Sequence, residues 1–99
     1  MVKELQINEF NEVIKEGKVL IDCYATWCGP CRMLAPIIEE LSSEITEYKF
    51  YKLDVDNNED IARQFGIMSI PTLLIFDQGE LKQKLVGLMS KEELKKVLN

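Results

Sequence analysis

The sequence predicts an α/β fold, a mixed sheet with helices on both faces. Three observations carry that prediction. Segments with helical spacing alternate with short apolar runs. The series closes on two strands joined by a tight turn, so part of the sheet is antiparallel. The 99 residues, 46% hydrophobic and 29% charged, suffice for one globular domain spanning residues 1–99. No internal repeat, low-complexity tract or linker interrupts the pattern.

Taken in order, Lys3–Ile7 is a short, weak strand. Asn8 is placed to cap a helix through Glu16, with Phe10, Val13 and Ile14 on one face and Gly17 as its stop. Val19–Ala25 is mostly apolar and predicts a strand buried on both faces. A longer helix follows from Cys31 to about Glu47, where Leu34, Ile37, Ile38, Leu41 and Ile45 recur at helical spacing. Pro36 falls inside it and is expected to kink it, because proline lacks a donor and its ring clashes one turn back. Lys49–Val55 reads as a third strand. Asn58 is placed to cap a short helix with Ile61, Ala62 and Phe65 inward, which Gly66 ends. Thr72–Phe76 is a strand, Asp77-Gln78-Gly79-Glu80 a hairpin turn, and Leu81–Val86 the returning strand. Ser90 and Glu93 form a capping box for a last helix whose Leu94, Val97 and Leu98 face inward.

Composition excludes several function classes. Twelve Lys and Arg stand against 17 Asp and Glu, a formal net charge of −5. Such a chain repels nucleic acid and anionic membranes. The longest strictly apolar run, Leu73–Phe76, is far too short to span a bilayer. Met1-Val2-Lys3-Glu4-Leu5-Gln6 lacks the apolar stretch of a signal peptide, so the chain is expected in the cytoplasm. With no histidine, Ser/His and Cys/His hydrolases are ruled out, as are most catalytic zinc sites. Three cysteines, an odd number, argue against a disulfide-stapled secreted domain.

The strongest chemical signal is Trp27-Cys28-Gly29-Pro30-Cys31, set between a buried strand and a helix start. Two cysteines at this spacing can close a small disulfide ring. The first sits where free backbone N–H groups and the helix dipole favour a thiolate, the species that attacks disulfides. Cys31, further into the helix, is expected to be more buried and to resolve the mixed disulfide. Gly29 allows the tight turn and Pro30 fixes entry into the helix. Structural zinc would need four ligands, and three sulfurs without histidine disfavour it.

These five residues resemble the active-site motif of the thioredoxin family. Ile21-Asp22, Lys52, Ile70-Pro71-Thr72 and Val86-Gly87 also fall where a thioredoxin has them, so the resemblance runs over the whole chain. It implies the thioredoxin fold, a central five-stranded mixed sheet flanked by four helices in three layers. It also implies a protein disulfide reductase that binds no cofactor or metal. The expected partners are a separate thioredoxin reductase, which supplies electrons, and disulfide-containing substrate proteins, met by a monomer.

Asp22 interrupts the apolar run Val19-Leu20-Ile21-Asp22-Cys23, so its carboxyl is either neutral at working pH or partnered. The resemblance makes it the buried acid that moves the proton of Cys31, with Lys52 as counter-charge. It also makes Pro71 cis and has the Ile70 backbone pair with an extended substrate. Trp27 with Gly29, Pro30, Ile70, Pro71 and Gly87 would then form a flat apolar docking patch. Two positions depart from the family pattern. Tyr24 stands where many relatives have a second tryptophan, and Cys23 where an aromatic is usual. Cys23 alternates with Asp22 and is expected to serve as a small core hydrophobe. Two other readings remain: an oxidase or isomerase on the same fold, disfavoured by Gly29-Pro30, and a non-catalytic binding or assembly module, disfavoured by the intact cysteine pair and Asp22.

Overall fold

A computed structural model describes all of residues 1–99. Five strands form one sheet in the order β1-β3-β2-β4-β5. They are β1 (Lys3–Glu4), β2 (Lys18–Tyr24), β3 (Tyr48–Asp54), β4 (Thr72–Asp77) and β5 (Glu80–Val86). The first three are mutually parallel, and β4 and β5 run antiparallel to their neighbours. Four helices flank the sheet: α1 (Phe10–Val13), α2 (Gly29–Glu44), α3 (Glu59–Gln64) and α4 (Lys91–Leu98).

β2 lies at the centre, and Val19 through Cys23 are all buried, as a strand covered on both faces must be. Its side chains alternate between two cores. Leu20 joins Leu34, Ile38 and Leu41 of α2 and Leu94 and Leu98 of α4. Val19, Ile21 and Cys23 join Phe10 and Phe76 on the opposite face, with Phe65 packed alongside. Phe10, Phe65 and Phe76 meet as a triad with ring centroids 5.4–5.8 Å apart. Asp22 falls on the Leu20 side, beneath α2.

Local chemistry explains most boundaries. Gln78 (φ 52°) and Gly79 (φ 85°) are both left-handed, the conformation that matches the twist of a two-residue hairpin. Ser90 Oγ accepts from Glu93 N–H and Glu93 Oε1 accepts from Ser90 N–H, completing the capping box. Lys91 pairs with Glu40 and Glu44, and Lys95 with Glu44, which ties α4 to the end of α2. α2 continues through Pro36 to Glu44.

The structure corrects several expected details. β1 is two residues long, because only Lys3 and Glu4 pair with β3. Asn8 does not cap α1. It adopts φ 84°, a conformation asparagine tolerates, and turns the chain ahead of a helix that starts after Glu9. Asn58 occupies the position before α3 but does not cap with its side chain. Its amide instead donates to the Asp54 carbonyl. α2 begins at Gly29, two residues earlier than expected, and ends at Glu44.

Candidate active site

Where β2 ends, the chain makes a short turn through Thr26 and Trp27 and enters α2. Cys28 is the residue preceding this helix, in extended conformation, and its Sγ accepts the Cys31 backbone N–H at 3.2 Å. Pro30 lies within the first helical turn, where its missing donor leaves no bond unmade. Cys28 and Cys31 are joined in a disulfide with Cα atoms 5.3 Å apart. The two are almost equally covered, 4% and 3% exposed, so burial of the whole residue does not separate their roles. Their positions differ: Cys28 Sγ accepts a backbone N–H and sits at the positive end of a 16-residue helix. Ile70 packs against the two cysteines, and its carbonyl oxygen lies 3.8 Å from Cys28 Sγ. The Ile70–Pro71 peptide bond is cis and Pro71 is buried.

Pro71 is tied to the neighbouring loop, because Gly87 N–H donates to its carbonyl at 2.8 Å. Gly87 has φ 98°, and no atom lies within 4 Å of where a Cβ would stand. The backbone there is open to an incoming chain. Trp27 is 68% exposed, and its indole N–H donates to Asp56 Oδ2 at 2.8 Å. Met68, 96% exposed, shares with Trp27 and Ile70 the lining of a groove beside the disulfide. Gly29 is half-buried and Pro30 exposed at the same end of the molecule.

Asp22 is 4% exposed, and its Oδ1 has no hydrogen-bonding partner in the protein. Burial pushes its carboxyl up to about 7, against the pull of the Lys52 ammonium and with a smaller push from Glu4. Lys52 is its register partner on β3 yet enters none of the chain's ion pairs. It therefore acts on Asp22 through space. Asp22, Cys31 and Lys52 line one cavity of about 230 Å³. An acid near neutrality and the second cysteine thus open onto a shared space.

Cys23 is buried and unpaired on the opposite face. Burial, then the nearby Asp22 carboxylate, pushes its thiol far above the usual range, which leaves it unreactive. Tyr24 OH donates to Glu4 Oε1 at 2.6 Å. Burial and this bond push its phenol well up as well. Sequence reasoning did not single out Glu4, Asp56 or Met68. Glu4 reaches the site only through the order β1-β3-β2, which no motif announces. Asp56 had one available signal: it lies two residues past the end of β3, beside the end of β2.

A thioredoxin family model matches residues 1–99. Thioredoxin from Listeria monocytogenes is 50% identical over 100 residues, covering 100% of this chain and 97% of that protein. Thioredoxin from Bacillus subtilis is 46% identical over 91 residues, covering 91% and 88%. Among solved structures, the oxidised thioredoxin of Plasmodium falciparum superposes with a TM-score of 0.89 at 33% identity, covering 99% and 95% of the two chains. The thioredoxin of Malassezia sympodialis gives 0.90 at 34% identity, covering 98% and 89%.

Proposed function

The chain belongs to the thioredoxin family and is a thiol–disulfide oxidoreductase, and from that premise we propose a role for each residue of its site. In the reduced protein, the Cys28 thiolate attacks one sulfur of a substrate protein's disulfide. The substrate's other sulfur leaves as a thiolate and takes up a proton. Cys31 then loses its proton to the Asp22 carboxylate, through water in the shared cavity. The Cys31 thiolate attacks Cys28 Sγ and breaks the mixed disulfide. The substrate's second sulfur leaves as a thiolate and takes up a proton in its turn, so both its sulfurs are reduced, and the Cys28–Cys31 disulfide remains. Two electrons have passed from the protein's dithiol to the substrate.

The observation that carries this assignment is the placement of Cys28 Sγ on the Cys31 N–H at the start of α2. Lys52 keeps Asp22 from becoming too weak an acid to part with its proton between turnovers. Gly29 and Pro30 shape the turn, and Pro71 and Ile70 face the disulfide. Trp27, Ile70 and Gly87 receive the substrate backbone. A separate thioredoxin reductase, a second protein, restores the dithiol, so no bound cofactor enters the cycle. We place the chain in the cytoplasm as a monomer and read residues 1–99 as one domain. No helix is long and apolar enough to cross a membrane, which is compatible with that placement.

Serine in place of Cys31 should trap covalent complexes with substrate proteins, and serine in place of Cys28 should abolish turnover and trap none. The reverse pattern would exchange the two roles. The reduction potential tests the direction of the chemistry. Thioredoxins as a family lie at about −270 mV, the figure expected here by family membership. A potential above about −200 mV would identify an oxidase or isomerase instead.

A further inference from the structure

Three strands place three charges in one row. Glu4 on β1 is the register partner of Lys52 on β3, and Lys52 is the register partner of Asp22 on β2. Partners in register project to the same face of a sheet. Lys52 therefore stands between two carboxyl groups, with an ion pair to neither. Tyr24 follows Asp22 by two residues and shares that face. Its side chain reaches past β3 to donate its hydroxyl to Glu4 at 2.6 Å. A hydrogen bond of that length holds the Glu4 carboxylate in place.

We propose that Glu4, held by Tyr24 in one row with Lys52 and Asp22, is a positioning residue whose charge opposes the pull of Lys52 and so helps set the acidity of Asp22. This rests on the reading of Asp22 as the carrier of the Cys31 proton. The other charged groups near Asp22 have bonds of their own, and none of them holds Glu4. Arg32 of α2 donates to the Thr26 carbonyl at 3.0 Å. Asp54 of β3 accepts from the Asp56 N–H at 2.9 Å. Cys31 of α2 is in the disulfide, and β4 sets Leu73 opposite Asp22. Glu4 is the acid whose position depends on a single side-chain hydroxyl, and that hydroxyl belongs to a residue that departs from the family pattern.

The size of the effect follows from sheet geometry. Glu4 and Asp22 are two strand spacings apart, about 10 Å. At an effective dielectric constant of about 20, a unit charge at that distance moves a titration by about one pH unit. The test is the titration of the Asp22 carboxyl carbon, followed by NMR in the oxidised full-length protein. Glu4→Gln should lower the midpoint by about one pH unit. Glu4→Asp, which keeps the charge, should restore most of it. Tyr24→Phe should lower the midpoint by less, and should add nothing in the Glu4→Gln background. Because it keeps the ring, Tyr24→Phe reads the coupling even where Glu4→Gln loosens β1. A midpoint unmoved by Glu4→Gln overturns the proposal, and so does a Tyr24→Phe effect that adds in full. Failure of the relay itself shows separately, as an unchanged pH profile of turnover in Asp22→Asn.

Discussion

Replacing Asp22 by asparagine should change how the stability of this protein depends on pH. In the folded chain burial holds the Asp22 carboxyl at about 7, whereas its ordinary value is 3.8. Between those two values the folded state keeps the proton and the unfolded state has released it. Raising the pH through that window therefore favours unfolding, at about 1.4 kcal/mol per pH unit. Below the window both states are protonated, and above it both are ionised, so the contribution is flat at each end. Across the whole window the penalty reaches about 4 kcal/mol as an upper bound, a large share of the 5–15 kcal/mol typical of a folded domain. Asparagine does not ionise, and whatever its own burial costs is constant with pH. The measurement is urea unfolding of the oxidised parent and Asp22→Asn proteins from pH 4 to 8.5, followed by circular dichroism. The variant should gain on the parent steadily up to about pH 7 and hold that gain above it. A stability difference that is constant over the range, or that changes only below about pH 5, would refute the assignment of a raised carboxyl.

Three further outcomes are expected. Cys23→Ala should keep full disulfide-reducing turnover, and Cys23 in the parent should react with iodoacetamide only once urea unfolds the protein; labelling in native buffer at pH 8 would contradict its buried, strongly protonated state. Ser90→Ala should lower stability by about 1 kcal/mol in denaturant unfolding, by removing one arm of the capping box of α4. No change would mean that the packing of Leu94 and Leu98 and the ion pairs of Lys91 and Lys95 hold that helix without the cap. Gly87→Ala should cost about 1–2 kcal/mol, because φ 98° strains any residue with a Cβ. It should also raise the KM for a protein substrate more than it lowers kcat, and an effect confined to kcat would remove Gly87 from the docking surface.

Much of this architecture was legible because local chemistry and tertiary packing agree. The run Val19–Cys23 could only be a strand covered on both faces, and the Gln78-Gly79 pair fits the left-handed turn that the hairpin demands. Ser90 and Glu93 are spaced to satisfy each other's neighbouring N–H groups, and they do. The cysteine pair was legible for the same reason, since its spacing is meaningful only at a helix start. The asparagines misled because an amide can serve a turn in more than one way. Asn8 took the left-handed backbone instead of capping, and Asn58 donated backward to Asp54 instead of accepting forward. Glu4 and Asp56 stayed hidden because their partners, Tyr24 and Trp27, lie 20 and 29 residues away. Their roles depend on which strands become neighbours, which nothing local to Glu4 encodes and which the place of Asp56 just past β3 only hints at.

The long helix that carries the cysteines is anchored unevenly. Its later turns are clamped by Ile38 and Leu41 beneath and by Lys91 and Lys95 at Glu44. Pro36 has no N–H to offer the Arg32 carbonyl four residues earlier, so one rung is missing between the cysteine-bearing turn and the clamped body. The first turn, which carries both cysteines, is thus joined to the clamped body by one hydrogen bond fewer than an uninterrupted helix would give it. Substitutions near Glu44 should shift the melting temperatures of the oxidised and reduced forms alike and so spare the potential, whereas substitutions around Gly29 and Pro30 should shift the potential by moving one form's stability relative to the other. Natural drift or an engineer can therefore change overall stability at the far end of the helix without moving the potential set at its start.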